Sequence, residues 1–153
     1  MKSEKYRRTA AQILTRILFL GYCAVMIWLL FGQRLDRENI GFDNLNLIPF
    51  ATLKLYTDLL QISKDPFLLR HAFINLVGNV VMFVPLGYFL PALWPRLRQF
   101  FFILLSSVVI IVFIELFQYF SGLGSCDVDD FILNIPGVLM GWGIYQLQMR
   151  KSP

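Results

Sequence analysis

Glu115 and Gln118 stand three residues apart near the end of an apolar run, residues 100–120, that is long enough to span a bilayer. A carboxyl at the centre of a membrane helix costs roughly 2.5–3.5 kcal/mol. It is kept there when it faces a partner, a cavity or a substrate, and it has the chemistry of a general acid or base. Two other apolar runs carry matching polar pairs. Asn75 and Asn79 are spaced i,i+4, as are Asp130 and Asn134, so each pair shares one helix face. Amides in such places orient a bound polar group or stabilise developing charge. They also bridge membrane helices, at about 0.6–2 kcal/mol per hydrogen bond, and packing is the competing reading for Asn75, Asn79 and Asn134. It fits Glu115 less well, because a neutral amide would bridge at lower cost.

The remaining reactive groups form no recognised constellation. Asp127, Asp129 and Asp130 lie within four residues, and three carboxylates suit a hard cation with oxygen ligands. The glycine and terminal glutamate of an EF-hand loop are missing, and Asp129 or Asp130 capping the next helix is the simpler reading. The single histidine, His71, builds no metal site without carboxylates and reads as an interfacial residue. Of the two cysteines, Cys23 lies in an apolar run and Cys126 in a polar loop, so there is neither a CxxC motif nor a disulfide framework. Ser121 and Ser125 have no paired base in sequence. No cofactor is called for.

Composition decides where these residues work. The chain is 57% hydrophobic and 16% charged, with 15 Phe in 153 residues, and its mean hydropathy is +0.61. A soluble domain of this size needs a larger charged surface. One membrane domain over residues 1–153 is expected. The net charge of +4 comes from dispersed basic residues that flank the apolar runs, so they read as topology signals and no nucleic-acid partner is expected. The sequence points to no protein partner.

Four stretches approach spanning length, at about 13–32, 72–94, 100–120 and 131–149. The last is the weakest, since it contains Asn134, Pro136, Gln146 and Gln148. The expected fold is an all-α integral membrane protein with four transmembrane helices in a bundle. Pro85 and Pro136 predict kinks rather than helix ends. The first run follows Lys2, Lys5, Arg7 and Arg8 like a secretory signal, but residues 32–35 offer no small-x-small cleavage site, and it reads as an uncleaved anchor. The N-terminus, the turn with Arg96 and Arg98, and the C-terminus with Arg150 and Lys151 are basic. The loop holding Asp127, Asp129 and Asp130 is acidic, and the long first loop is mixed. Both termini are therefore expected in the cytoplasm. Within the first loop Leu53, Leu55, Tyr56, Leu59, Leu60 and Ile62 recur at helical spacing, predicting a short amphipathic helix at the outer surface. This topology sets the polar pairs of three helices at one depth in the outer half of the bilayer. Asn79 and Glu115 are expected to face one another there.

These residues also carry a resemblance. Asn46-Leu-Ile-Pro-Phe50, Asn75-Leu-Val-Gly-Asn79 with Phe83-Val-Pro-Leu-Gly87, Glu115-Leu-Phe-Gln118, and Asp127-Val-Asp-Asp-Phe-Ile-Leu-Asn134 with Gly137 and Gly141 together resemble the VanZ-like family of bacterial membrane proteins, from about Asn44 to Tyr145. The chain departs from the family in having Gly124-Ser125-Cys126 where a basic residue often precedes the acidic segment, and Pro136 where another residue is usual. The resemblance implies a place in the bacterial cytoplasmic membrane, adds Asn46 to the candidate ligand-binding residues, and implies a role like low-level resistance to teicoplanin, a glycopeptide with a lipid tail. It implies no settled enzymatic activity.

Three functions then compete. In the first, Asn46, Asn75, Asn79, Gln118, Asp130, Asn134 and Glu115 bind the polar head of a membrane lipid, a lipid-linked envelope intermediate or a lipid-tailed antibiotic. In the second, Glu115 is the acid or base of an intramembrane enzyme. In the third, the amides hold together a structural subunit.

Overall fold

The computed structural model describes residues 2–32 and 45–151, without the side chains of residues 2–5, 7 and 8. The mixed-charge stretch at 33–44, most of the weighed cleavage site, the start of the family-like region at Asn44 and the N-terminal basic side chains lie outside the described residues. In chain order the elements are α1 (Lys2–Phe31), β1 (Leu45–Asn46), α2 (Ala51–Ile62), α3 (Pro66–Leu93), a 3₁₀ turn (Pro95–Arg98), α4 (Phe100–Ser121), β2 (Cys126–Asp127) and α5 (Val128–Lys151).

Local chemistry sets the boundaries. Asp65 accepts from the Phe67 N–H at 2.9 Å, and Pro66 opens the first turn of α3, where its missing N–H has no bond to lose. Trp94 is extended before Pro95, which ends α3. Gly122 closes α4 in the left-handed conformation at φ 69°, a cap that costs glycine nothing. The helices run through Pro85, Pro91 and Pro136, as membrane helices can when neighbours satisfy the freed carbonyls.

The centre of the fold is the contact between α3 and α5. A Cβ added at Gly87 would lie 1.9 Å from the Val138 carbonyl oxygen; at Gly137 it would lie 2.1 Å from that of Val80, and at Gly141 1.9 Å from that of Val84. The two backbones therefore touch directly, the close approach that small-xxx-small spacing allows. Ascending numbers on α3 meet ascending numbers on α5, so the pair is parallel, and the Tyr88 hydroxyl donates to Gln148 Oε1 at 2.5 Å further along.

Helix α4 runs the other way. Trp142 Nε1 and Gln146 Nε2 both donate to the Arg98 carbonyl, at 3.1 and 2.6 Å, while Glu115 reaches the start of α5. Helix α1 lies along α3 in the opposite direction. Phe19 packs edge-on against Trp94 at 5.8 Å, and the Tyr22 hydroxyl donates to the Met82 carbonyl at 2.9 Å. Met26, Phe83, Leu86, Leu90, Ile103, Ile111 and Val138 form the core. Three helices, Thr9–Phe31, Pro66–Leu93 and Phe100–Ser121, are long and apolar enough to cross a membrane. Helix α5 has the length, but its acidic start, amides and basic end lower its apolarity.

The candidate site at the α2 end of the bundle

The helix directions bring the C-terminal ends of α1 and α4 and the N-terminal ends of α3 and α5 to the same end of the bundle. Two residues of strand pairing close it. Leu45 pairs with Cys126 and Asn46 with Asp127 in a parallel register. Asp127, just before α5, accepts from the Asp129 N–H at 2.8 Å, which makes it the cap of α5. Its carboxylate also accepts from the Thr52 hydroxyl at 2.6 Å and from Asn46 Nδ2 at 3.2 Å. Asn46 Nδ2 reaches Thr52 Oγ1 at 2.8 Å as well.

Asp129 does not cap its own helix. Its carboxylate accepts from the Phe50 N–H at 2.5 Å and the Leu53 N–H at 2.9 Å, so a residue of α5 caps the N-terminus of α2. Only 1% of its surface is exposed. Phe50 takes a left-handed conformation, φ 66°, at a cost of order 1–3 kcal/mol for a non-glycine residue. The two charge-assisted bonds to Asp129 offset that cost. The expectation that Asp129 or Asp130 caps α5 is thus corrected: Asp127 does so, because it alone precedes the first turn.

Asn79 and Asp130 join α3 to α5, with Asn79 Nδ2 donating to Asp130 Oδ1. The partner expected for Asn79 was Glu115; the bond described for Asn79 goes to Asp130 instead, because the glycine contact draws α5 rather than α4 against this face of α3. Glu115 is buried, and its Oε2 accepts from the Asp127 N–H at 3.4 Å. Gln118, also buried, donates through Nε2 to the Leu30 carbonyl at 3.2 Å and ties α4 to the end of α1. Asn75 turns back on its own helix, donating to the His71 carbonyl at 2.8 Å. His71 is exposed, with its ring 5.9 Å from that of Tyr56.

Asn134, one turn beyond Asp130, is 3% exposed, and among the described residues its Oδ1 finds no hydrogen-bond partner. A buried acceptor left unmatched costs about 1–3 kcal/mol. Cys126 sits beside the cluster. Burial first, and then the nearby Glu115, Asp127 and Asp130 carboxylates, push its thiol above the ordinary range. Among the described residues no three His, Cys, Asp or Glu side chains are grouped to hold a metal ion. Asp127 and Asp129 direct their oxygens at protein donors.

Sequence alone did not mark Thr52 or the strand pair, and Phe50 entered only as the last residue of a family-like segment. The hydroxyl at the start of α2 was a visible signal. The pairing of two-residue strands 81 positions apart was not, since so short a run carries no periodicity.

Nearly all-helical architecture, three helices apolar enough to cross a bilayer, and buried polar side chains gathered at one end define a helical membrane protein with a polar site at its α2 end. Residues 17–149 match the model of the VanZ/LLP1 family, and the chain belongs to that family. It is 25% identical over 130 residues to Protein VanZ of Enterococcus faecium, an alignment covering 78% of each chain. No solved structure matches it.

Proposed function

We propose that the α2 end of this VanZ-like protein lies in the outer half of the bacterial cytoplasmic membrane and recognises the polar head of a lipid there. The class includes a lipid-linked envelope intermediate and a lipid-tailed glycopeptide of the teicoplanin kind. In this reading α5 is the fourth span, both termini are cytoplasmic, and α2 lies along the outer surface. The direct backbone contact of α5 with α3 supports the fourth span, because a helix packed that closely on a membrane helix shares its environment.

The observation that carries the reading is Asn134 Oδ1, a buried acceptor that no described residue matches, one turn from Asp130 in a cluster with Asn79 and Glu115. A hydroxyl or amine of a ligand head would supply the missing donor. The bonds of Asp127, Asp129 and Asn46 to α2 favour a scaffold role for those three. Asn75 and Gln118, bonded to backbone carbonyls, belong with them. Binding therefore narrows to Glu115, Asn79, Asp130 and Asn134.

The test is Glu115→Gln, which keeps the shape and removes the charge and the exchangeable proton. The variant is expected to insert and melt like the wild type in detergent yet lose its envelope phenotype, such as glycopeptide sensitivity. A full phenotype at unchanged stability would return Glu115 to packing. Incubation with lipid-linked substrates would separate binding from catalysis: a change in substrate mass that Glu115→Gln abolishes makes Glu115 an acid or base rather than a ligand contact.

A further inference from the structure

The opposite end of the bundle holds an open cavity, a groove of about 580 Å³, between the end of α3, the 3₁₀ turn and α4. Its volume lies within the range that holds a small-molecule ligand. Leu90, Leu97 and Ile110 give it apolar walls, and Trp94 and Arg96 line it from the turn. Trp94 is half exposed and is held from behind by Phe19 of α1, ring to ring at 5.8 Å. Arg96 is exposed, and no described carboxylate pairs with it. The other arginine of the turn is engaged elsewhere. Arg98 donates from Nε to the Pro91 carbonyl at 3.4 Å, and its guanidinium lies 5.9 Å from the centre of the Tyr145 ring.

Trp94, Trp142, Arg96, Arg98, Arg150 and Lys151 all collect at this end. Tryptophans and basic side chains mark the level of lipid headgroups. The cavity thus pairs an apolar interior, at hydrocarbon depth, with the Arg96 guanidinium at headgroup depth. We infer that this cavity is a binding site for an anionic phospholipid of the leaflet at that end, with an acyl chain against Leu90, Leu97 and Ile110 and the phosphate on Arg96. A zwitterionic lipid fills the same walls but presents a cation beside Arg96 and gains less. Basic pockets between membrane helices recognise anionic headgroups by this charge complementarity. The inference does not depend on the site at the α2 end.

The experiment is native mass spectrometry of the full chain purified in detergent with equimolar phosphatidylglycerol and phosphatidylcholine of identical acyl chains. The wild type is expected to retain phosphatidylglycerol over phosphatidylcholine by about fivefold, the factor one arginine near an anionic surface supplies. Arg96→Gln should bring the ratio to about one, Arg96→Lys should keep most of it, and Arg150→Gln, on the same end but away from the cavity, should leave it unchanged. Ile110→Trp should reduce retention of both lipids by filling the cavity. A preference that survives Arg96→Gln, or that Arg150→Gln removes equally, would overturn the site. Both arginines are exposed, so these variants decide the matter even if Ile110→Trp does not fold.

Discussion

Asp129 on α5 holds the first turn of α2, and its removal should unravel a helix that is distant in sequence. Asp129→Ala takes the acceptor from two backbone donors, Phe50 N–H at 2.5 Å and Leu53 N–H at 2.9 Å. Each donor left unmatched costs about 1–3 kcal/mol, and loss of an N-cap alone costs about 1 kcal/mol. The left-handed Phe50 also loses the bond that offsets its strain. None of the α2 residues is fully buried, so little packing offsets that loss. Local release of α2 is therefore expected before global unfolding. Asp129→Asn keeps one oxygen and turns an NH₂ toward the other donor, so its cost should be smaller. Hydrogen exchange in detergent should show Leu53 and its neighbours losing at least about 2 kcal/mol of protection in Asp129→Ala, roughly a thirtyfold faster exchange. The start of α5 should be unaffected. Asp127→Ala should instead expose the Asp129 N–H that Asp127 caps. If Asp129→Ala left α2 protected and frayed α5, the cross-helix cap would be refuted.

Gly141→Ala would press a methyl to 1.9 Å from the Val84 carbonyl oxygen, and backbone cannot move aside as a side chain can, so a loss of about 3 kcal/mol in detergent unfolding is expected. Gly143→Ala has nothing within 4 Å and should be neutral or slightly stabilising; equal effects of the two would dismiss the backbone contact. The raised Cys126 thiol should alkylate slowly at neutral pH, and Glu115→Gln, by removing one of the charges that raise it, should shift the alkylation profile to lower pH. A profile that did not move would place Glu115 too far away, or already neutral. In intact cells, with Cys23 and Cys126 of the chain first replaced, a reporter cysteine at Ser63 should react with an impermeant reagent and one at Arg98 should not; the opposite pattern would invert the proposed topology.

Apolar runs and basic flanks made the helices legible from sequence, because length and hydropathy are local quantities. The polar residues were legible for the same reason: a carboxyl or amide in an apolar run stands out wherever its helix goes. Helix spacing also marked a helical segment after Phe50. The partners were decided by tertiary structure. Gly87, Gly137 and Gly141 bring α3 and α5 into backbone contact, and that register directs Asn79 to Asp130 rather than to Glu115. The Asn46–Asp127 strand pair sets Asp127 before α5 and turns Asp129 onto the amides of α2, so adjacent acidic residues take up different tasks. Sequence fixes which groups are costly to bury. Only the packing of distant helices determines which donor meets each one, and it leaves Asn134 Oδ1 without one among the described residues.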